Sequence, residues 1–131
     1  MNSTLPSAAE IDYIIGLNAH EESRLPELVA DVTQTYREIS KPEATSLLRK
    51  RLTQLILEGR VGVGECSLPG CNDASEGMRQ LPIQMAIDIV VNDRHWEWEP
   101  IPNQPLIVLF AVDMDIGTLA AAAREAGAHG S

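Results

Sequence analysis

The sequence predicts an α+β fold that is mainly helical, with a three-helix core and a small antiparallel β-hairpin whose strands are separated by a long insertion. Apolar residues recur at intervals of three and four over residues 11–56, which is typical of helices that bury one face. Two short segments have the length of strands: residues 61–65, whose valines alternate with glycines, and the apolar run 106–112. The 131 residues suit one domain, which we expect over 1–131 with flexible ends at 1–6 and 127–131.

The first helix is predicted to begin at a capping box formed by Ser7 and Glu10, in which each side chain accepts a hydrogen bond from the other residue's backbone. Gly16 and Asn18 are expected to end this helix. For the second helix we expect Ser23 as the N-cap. Its buried stripe is predicted to comprise Leu25, Leu28, Val29, Val32, Tyr36 and Ile39.

The third helix has the strongest local signals of the chain. Ser40 and Glu43 form a second capping box, and Pro42 lies in the first turn, where its missing amide hydrogen costs little. We expect the helix to run to Glu58, just before Gly59. Its predicted core face comprises Ala44, Leu47, Leu48, Leu52, Leu55 and Ile56.

Two strands are expected to pair as the hairpin. Residues 61–65 follow the third helix, and residues 106–112 form the longest apolar run of the chain. An antiparallel pair is the most economical arrangement, and it leaves a long insertion. Within that insertion, residues 68–77 are predicted to form an exposed loop, and 99–105 an extended connector because of its three prolines.

Residues 82–94 fit two patterns. Apolar residues alternate as in a strand, but Ile83, Ala86, Ile87 and Val90 also follow a helical stripe that Pro82 could begin. We favour a helix, because the segment is long for a strand. Residues 116–126 are predicted to form an alanine-rich final helix.

The net charge of −9 restricts the classes of partner. Ten Lys and Arg stand against nineteen Asp and Glu, which favours a cationic or neutral partner over nucleic acid or anionic lipid. No apolar run reaches the length of a transmembrane helix, and the N-terminus lacks the features of a secretory signal. We therefore expect a cytoplasmic protein that does not bind membranes.

Cys66 and Cys71 are close enough in sequence for a turn to bring them together as a disulfide or as half of a metal site. A zinc site would need two further ligands at suitable spacing, and the three histidines are scattered. We interpret the two cysteines as free thiols in a loop, and we expect no metal and no cofactor.

The segment EATSLLRKRLTQLILEGRVGVGE resembles the third helix of a winged-helix domain running into its first wing strand. The resemblance covers residues 24–66, with 106–112 as the returning strand. In DNA-binding winged-helix proteins the third helix enters the major groove. The resemblance therefore implies a transcriptional regulator as the alternative function. The DNA-binding residues would be Arg49, Lys50, Arg51, Thr53 and Arg60.

Local charge gives two opposite indications. Residues 41–60 hold five basic and two acidic residues, which favours DNA, whereas residues 61–131 hold three basic and ten acidic residues. The basic run 49–51 also fits an ordinary solvated helix face with acidic partners on the same chain.

The run Arg94-His-Trp-Glu-Trp-Glu99 contains both tryptophans of the chain, interleaved with acids. Tryptophan is enriched at binding hot spots, and carboxylates around it suit a cationic partner. The alternative is that one tryptophan fills the core and the other covers it. The predicted partner-binding residues are Asp88, Asp93, Trp96, Glu97, Trp98 and Glu99.

Catalytic patterns do not emerge from the sequence. Asp113 and Asp115 could place two acids at a strand end, but a helix cap explains them more simply. The glycines of GRVGVGE follow a helix and lack the third glycine of a dinucleotide-binding turn. We therefore expect a non-enzymatic, acidic protein-binding module, such as an immunity protein that inhibits a basic toxin. The sequence leaves the oligomeric state open, a dimer included.

Overall fold

Five α-helices and a three-stranded antiparallel sheet make up the part of the chain that this computed structural model describes, residues 5–66, 78–99 and 101–130. The helices are α1 (Ala8–His20), α2 (Leu25–Thr35), α3 (Lys41–Leu57), α4 (Ile83–Val90) and α5 (Ile116–Gly130), and a 3₁₀ helix spans Asp93–Trp96. The strands are β1 (Val61–Cys66), β2 (Met78–Gln80) and β3 (Leu106–Ala111). The predicted α+β class, mainly helical with a small sheet, is confirmed.

Helix α1 begins as predicted but ends later. Ser7 Oγ accepts a hydrogen bond from the Glu10 amide at 3.1 Å, and Glu10 Oε1 accepts one from the Ser7 amide at 2.9 Å. The predicted stop at Gly16 and Asn18 is wrong, because both residues are buried inside the helix. Gly16 lies so close to α5 that an added Cβ would be 2.5 Å from a Leu119 methyl group.

Helix α2 is capped by Arg24 and not by Ser23. Glu27 reaches back to accept a hydrogen bond from the Arg24 amide at 2.6 Å, and Pro26 occupies the first turn. Ser23 is buried, and its carbonyl accepts a hydrogen bond from the Leu109 amide of β3 at 2.9 Å. The helix ends at Thr35, so Tyr36 and Ile39 lie beyond it although both contact the core.

Helix α3 has the predicted start and end. Both hydrogen bonds of the Ser40–Glu43 capping box are present, and Gly59 follows the helix with a φ of +75°, a conformation that favours glycine. Leu48, Leu52 and Leu55 are fully buried. Helices α1, α2 and α3 contact one another, which confirms the predicted three-helix core.

The sheet contains the predicted pair and one further strand. β1 and β3 pair antiparallel, with Val61 opposite Ala111 and Cys66 opposite Leu106. β2 pairs with the other edge of β1, giving the order β2-β1-β3, and this third strand was not predicted. Val63 and Leu109 point into the core from the centre of the sheet, whereas Gly62 lies under the ring of Phe110.

The insertion between β1 and β3 contains α4, which confirms the helical interpretation of residues 82–94, followed by the 3₁₀ helix. The expected extended connector contains a turn, in which the Gln104 amide donates to the Ile101 carbonyl at 3.2 Å. Helix α5 extends beyond the predicted residue 126 to Gly130. None of the described helices combines the length and apolar content that crossing a bilayer requires.

The interpretation of the cysteines as free thiols is wrong for Cys66. This residue is disulfide-bonded at the end of β1, and no free cysteine occurs in the described part of the chain. The four-residue separation from Cys71 is compatible with a disulfide, as the sequence indicated. Cys71 and the predicted loop 68–77 lie outside the described residues.

Polar side chains connect the core helices and the residue after α2 at partly buried positions. Asp12 of α1 accepts two hydrogen bonds from the Arg51 guanidinium of α3, at 2.8 and 2.9 Å. Tyr36 donates its hydroxyl hydrogen to Glu10 Oε2 at 2.6 Å. The Arg51–Asp12 bonds span 39 positions of the sequence and the Tyr36–Glu10 bond spans 26. Both therefore fix the relative positions of elements that are distant in sequence.

We predict that Gly62→Ala destabilises the protein by about 1 to 3 kcal/mol, because the new methyl group would lie 2.6 Å from two ring carbons of Phe110. Urea unfolding measures the change. Gly117→Ala is the matched control, since its Cβ would lie 3.5 Å from Asp115 Oδ2, an ordinary contact, and alanine favours a helix. Equal stability of Gly62→Ala and the wild type would contradict the close contact between Gly62 and Phe110.

We also predict an acid-dependent loss of stability at Glu10. Partial burial raises the pKa of Glu10, but hydrogen bonds from Tyr36 and Ser7 outweigh this effect and hold the pKa below its ordinary value. A carboxyl group whose pKa is lower in the folded than in the unfolded state stabilises the protein at pH values above its unfolded-state pKa. This stabilisation disappears as the pH falls through the folded-state pKa.

The test compares the wild type with Tyr36→Phe by urea unfolding at several pH values. The variant should be about 1 kcal/mol less stable at neutral pH. The difference should shrink as the pH is lowered from about 5 to about 3, because Glu10 becomes protonated. A difference that stays constant over this range would show that the Glu10 carboxylate does not strengthen the Tyr36 bond.

Candidate functional site

The last carbonyl of α4 organises the region around the 3₁₀ helix. Val90 O accepts a hydrogen bond from the Trp96 indole Nε1 at 2.7 Å and one from Arg49 Nε at 3.1 Å. Helix C-terminal carbonyls lack intrahelical partners and carry partial negative charge, so a guanidinium is a favourable neighbour. Arg49 also lies 5.8 Å from the centre of the Trp96 ring and pairs with Asp93 at 2.7 Å.

The two tryptophans have different environments. Trp96 is 4% exposed and packs in the core, so its ring is not available to a partner. Trp98 is 54% exposed. The alternative in which one tryptophan fills the core therefore describes Trp96, and Trp98 alone presents its indole to solvent.

Arg24 holds the backbone next to Trp98. Its guanidinium donates to the Trp98 carbonyl at 3.1 Å and to the Glu97 carbonyl at 3.5 Å. The side chains of Glu97, Trp98 and Glu99 are all exposed. Anchoring the carbonyls to α2 lowers the entropy that this segment would lose on binding a partner.

We define the 83–99 surface as the exposed side chains of residues 83–99. Half of the large apolar side chains that are exposed in the described part of the chain lie here, at Ile83, Met85, Val91 and Trp98. The acids of this surface are Asp88, Asp93, Glu97 and Glu99, all exposed, against the single arginine Arg94. Apolar side chains next to charges of one sign are typical of a protein-binding surface.

Two acids of this surface already have partners on the chain. Asp88 accepts a hydrogen bond from Gln84 at 3.0 Å, and Asp93 pairs with Arg49 while its side chain stays 88% exposed. His95 is partly buried, and burial together with the nearby Arg94 lowers its pKa. The lowered pKa favours the neutral form of His95, so this residue adds little positive charge to the surface.

The residues expected to bind DNA are largely engaged in contacts within the chain. Arg49 bonds to Val90 and Asp93, and Arg51 bonds to Asp12, whose carboxylate holds the pKa of the guanidinium above its usual value. Arg60 donates to the Asp113 carbonyl at 3.2 Å and lies 3.9 Å from Glu58. Thr53 donates its hydroxyl hydrogen to the Arg49 carbonyl, and Lys50 is exposed.

Of the two acids after β3, Asp115 caps helix α5. Asp115 accepts hydrogen bonds from the Thr118 amide at 2.8 Å and from its hydroxyl at 2.7 Å, which confirms the predicted helix cap. These bonds lower the pKa of Asp115. Among the described residues, no group of three His, Cys, Asp or Glu side chains is arranged to hold a metal ion.

Arg24 is the site residue that sequence reasoning missed. It lies 74 residues before Trp98, at the start of α2, and no motif relates the two positions. Pro26 and Glu27, which follow Arg24, indicate the start of a helix. This local pattern predicts the backbone conformation of Arg24 but not where its guanidinium lies.

Comparison with known proteins adds no family to this description. No family model matches the chain, no curated protein matches it significantly, and no solved structure does so either. Functional inference therefore depends on the geometry of the chain itself.

We predict that the two tryptophans respond differently to substitution. Trp96→Phe should destabilise the protein by about 1 to 3 kcal/mol, because it removes the indole bond to the Val90 carbonyl and leaves space in the core. Trp98→Phe should change stability by less than about 0.5 kcal/mol. Acrylamide quenching of the remaining tryptophan should be strong in Trp96→Phe and weak in Trp98→Phe. The reverse order would contradict the assigned environments.

Proposed function

We propose that this chain is a non-catalytic, acidic protein-binding module that binds a basic protein through the 83–99 surface. The observation that carries the proposal is the exposed Trp98 between two exposed carboxylates, on a backbone held by Arg24. A large aromatic side chain on an ordered backbone is a typical binding hot spot. Glu97 and Glu99 would pair with cationic side chains around it.

The remaining residues of the surface support the same function. Ile83, Met85 and Val91 supply apolar area that a partner can bury. The net charge of −9 attracts a cationic protein over several ångströms and accelerates association. The affinity would then come mainly from burial of apolar area, and the fast association from charge.

A basic toxin such as a nuclease is the partner class that we favour. An acidic immunity protein can mask a basic active site, because the same positive charge that binds nucleic acid also attracts carboxylates. The support for this class is the charge of the chain and of the 83–99 surface, together with analogy to inhibitors of that kind.

The alternative function, a winged-helix transcriptional regulator, has weaker support. DNA affinity requires cations that are free to replace the counterions of phosphate. Arg49 and Arg51 already bond to carboxylates of the chain, and Lys41 and Lys50 are the exposed cations of α3. Both arginines would have to exchange these bonds for contacts with DNA.

The test is a pull-down with tagged protein from lysate of its own source, with nuclease treatment and washes of rising salt. The wild type should retain a basic protein that resists nuclease and is released by salt. The double variant Glu97→Lys/Glu99→Lys should lose it. Glu38→Lys/Asp113→Lys changes the net charge equally at exposed positions elsewhere and should still retain it.

Association and dissociation rates measured with the purified partner would separate the effect of charge from that of direct contacts. Glu97→Lys/Glu99→Lys should slow association by about tenfold or more. Trp98→Ala should cost about 2 kcal/mol, mainly through faster dissociation. If Glu97→Lys/Glu99→Lys and Glu38→Lys/Asp113→Lys slowed association equally, the result would contradict a specific role of the 83–99 surface. Recovery of specific DNA fragments without a protein partner would favour the regulator.

A further inference from the structure

A groove of about 570 Å³ lies between α1, α2 and α5, separate from the 83–99 surface. One wall is the face of α1 that carries Tyr13, Ile14 and Leu17, which are neighbours on a helix because of their spacing. On the opposite side, α5 contributes Ala120 and Ala123. These small side chains leave the space open, and the volume falls within the range of small-molecule sites.

The groove contains both tyrosines of the chain. Tyr13 lines it from α1, and Tyr36 lines it from the position directly after α2. Tyr36 is oriented by its hydrogen bond to Glu10, and burial together with this bond raises the pKa of its hydroxyl. The phenol therefore stays neutral, and the two rings offer aromatic surface to an apolar or cationic group.

Two carboxylates line the groove, and each is held by a hydrogen bond from the protein. Glu10 accepts from Tyr36 at 2.6 Å, and Asp31 accepts from the buried Asn18 side chain at 2.8 Å. An ionised carboxylate offers about four acceptor positions, so each can bind a further donor. Arg124 is the one base of the lining, which leaves an excess of negative charge.

We propose that this groove binds small organic cations, namely amines that carry an apolar body of one or two rings. The apolar body would lie against the tyrosines, Leu17 and the alanines, and the ammonium group would bond to Glu10 or Asp31. The lining on α1 runs from Glu10 to Leu17, about 10 Å at 1.5 Å per residue. This length fits a molecule of one or two rings better than a protein helix.

The test uses three indoles of similar size that differ in charge: tryptamine, the neutral alcohol tryptophol and the anion indole-3-propionate. Each is titrated into uniformly ¹⁵N-labelled protein while amide shifts are recorded. Tryptamine should shift amides of α1, α2 and α5 with a Kd on the order of 1 mM, as expected for a molecule of this size. Tryptophol should bind more weakly, and the anion most weakly.

Variants identify the groups that recognise the charge. Glu10→Gln and Asp31→Asn should each weaken tryptamine binding about two- to fivefold, as expected for one partly exposed ion pair. Arg124→Gln should strengthen it about twofold, because it removes the opposing charge. Asp88→Asn removes the same charge outside the groove and should leave the Kd unchanged within about 1.5-fold.

Several results would overturn the proposal. Equal affinity for tryptamine and tryptophol would show that the carboxylates do not select a cation. Shifts confined to residues outside the groove, or no shifts at several millimolar, would show that the groove is not the site. Unchanged binding in Glu10→Gln and Asp31→Asn, with the amide spectrum of a folded protein, would rule out the assigned carboxylates.

Discussion

Burial of α1 on several sides is the constraint on which the rest of the structure depends. This helix contacts α2, α3 and α5 as well as β3, so apolar and small residues are required around most of its circumference. Ile11 and Ile15 are almost fully buried, and Gly16 allows α5 to approach closely. A Cβ added at position 16 would force the Leu119 side chain of α5 to shift.

The charged residues of α3 show how this packing uses polar groups. Arg51 holds α1 through Asp12, and Arg49 satisfies the carbonyl at the end of α4 while contacting the ring of Trp96. These bonds connect elements that are far apart in sequence. A basic run that resembled a DNA-binding face in the sequence thus stabilises the arrangement of helices.

The two proposed sites follow from the same arrangement. Arg24 belongs to the start of α2 but fixes the backbone of residues 97 and 98, so that Trp98 and its neighbouring acids point to solvent. Asp31 of α2 and Tyr36, which directly follows this helix, face a groove between α1, α2 and α5. Both proposals therefore use acids held by bonds within the chain, one for a basic protein and the other for small amines.

The sequence by itself determined the start of α1 and both ends of α3, and it favoured the helix within 82–94 and the antiparallel pairing of β1 with β3. These features depend on residues within about four positions of one another or on strand-length apolar runs, and both kinds of pattern can be recognised directly in a sequence. Tertiary structure decided where α1 ends, because Gly16 and Asn18 stop a helix in water but not against α5 and Asp31. It also decided which tryptophan is exposed and which arginines bond within the chain. Those outcomes depend on bonds such as Arg49 to Val90 and Arg24 to Trp98, whose partners meet only when the helices pack.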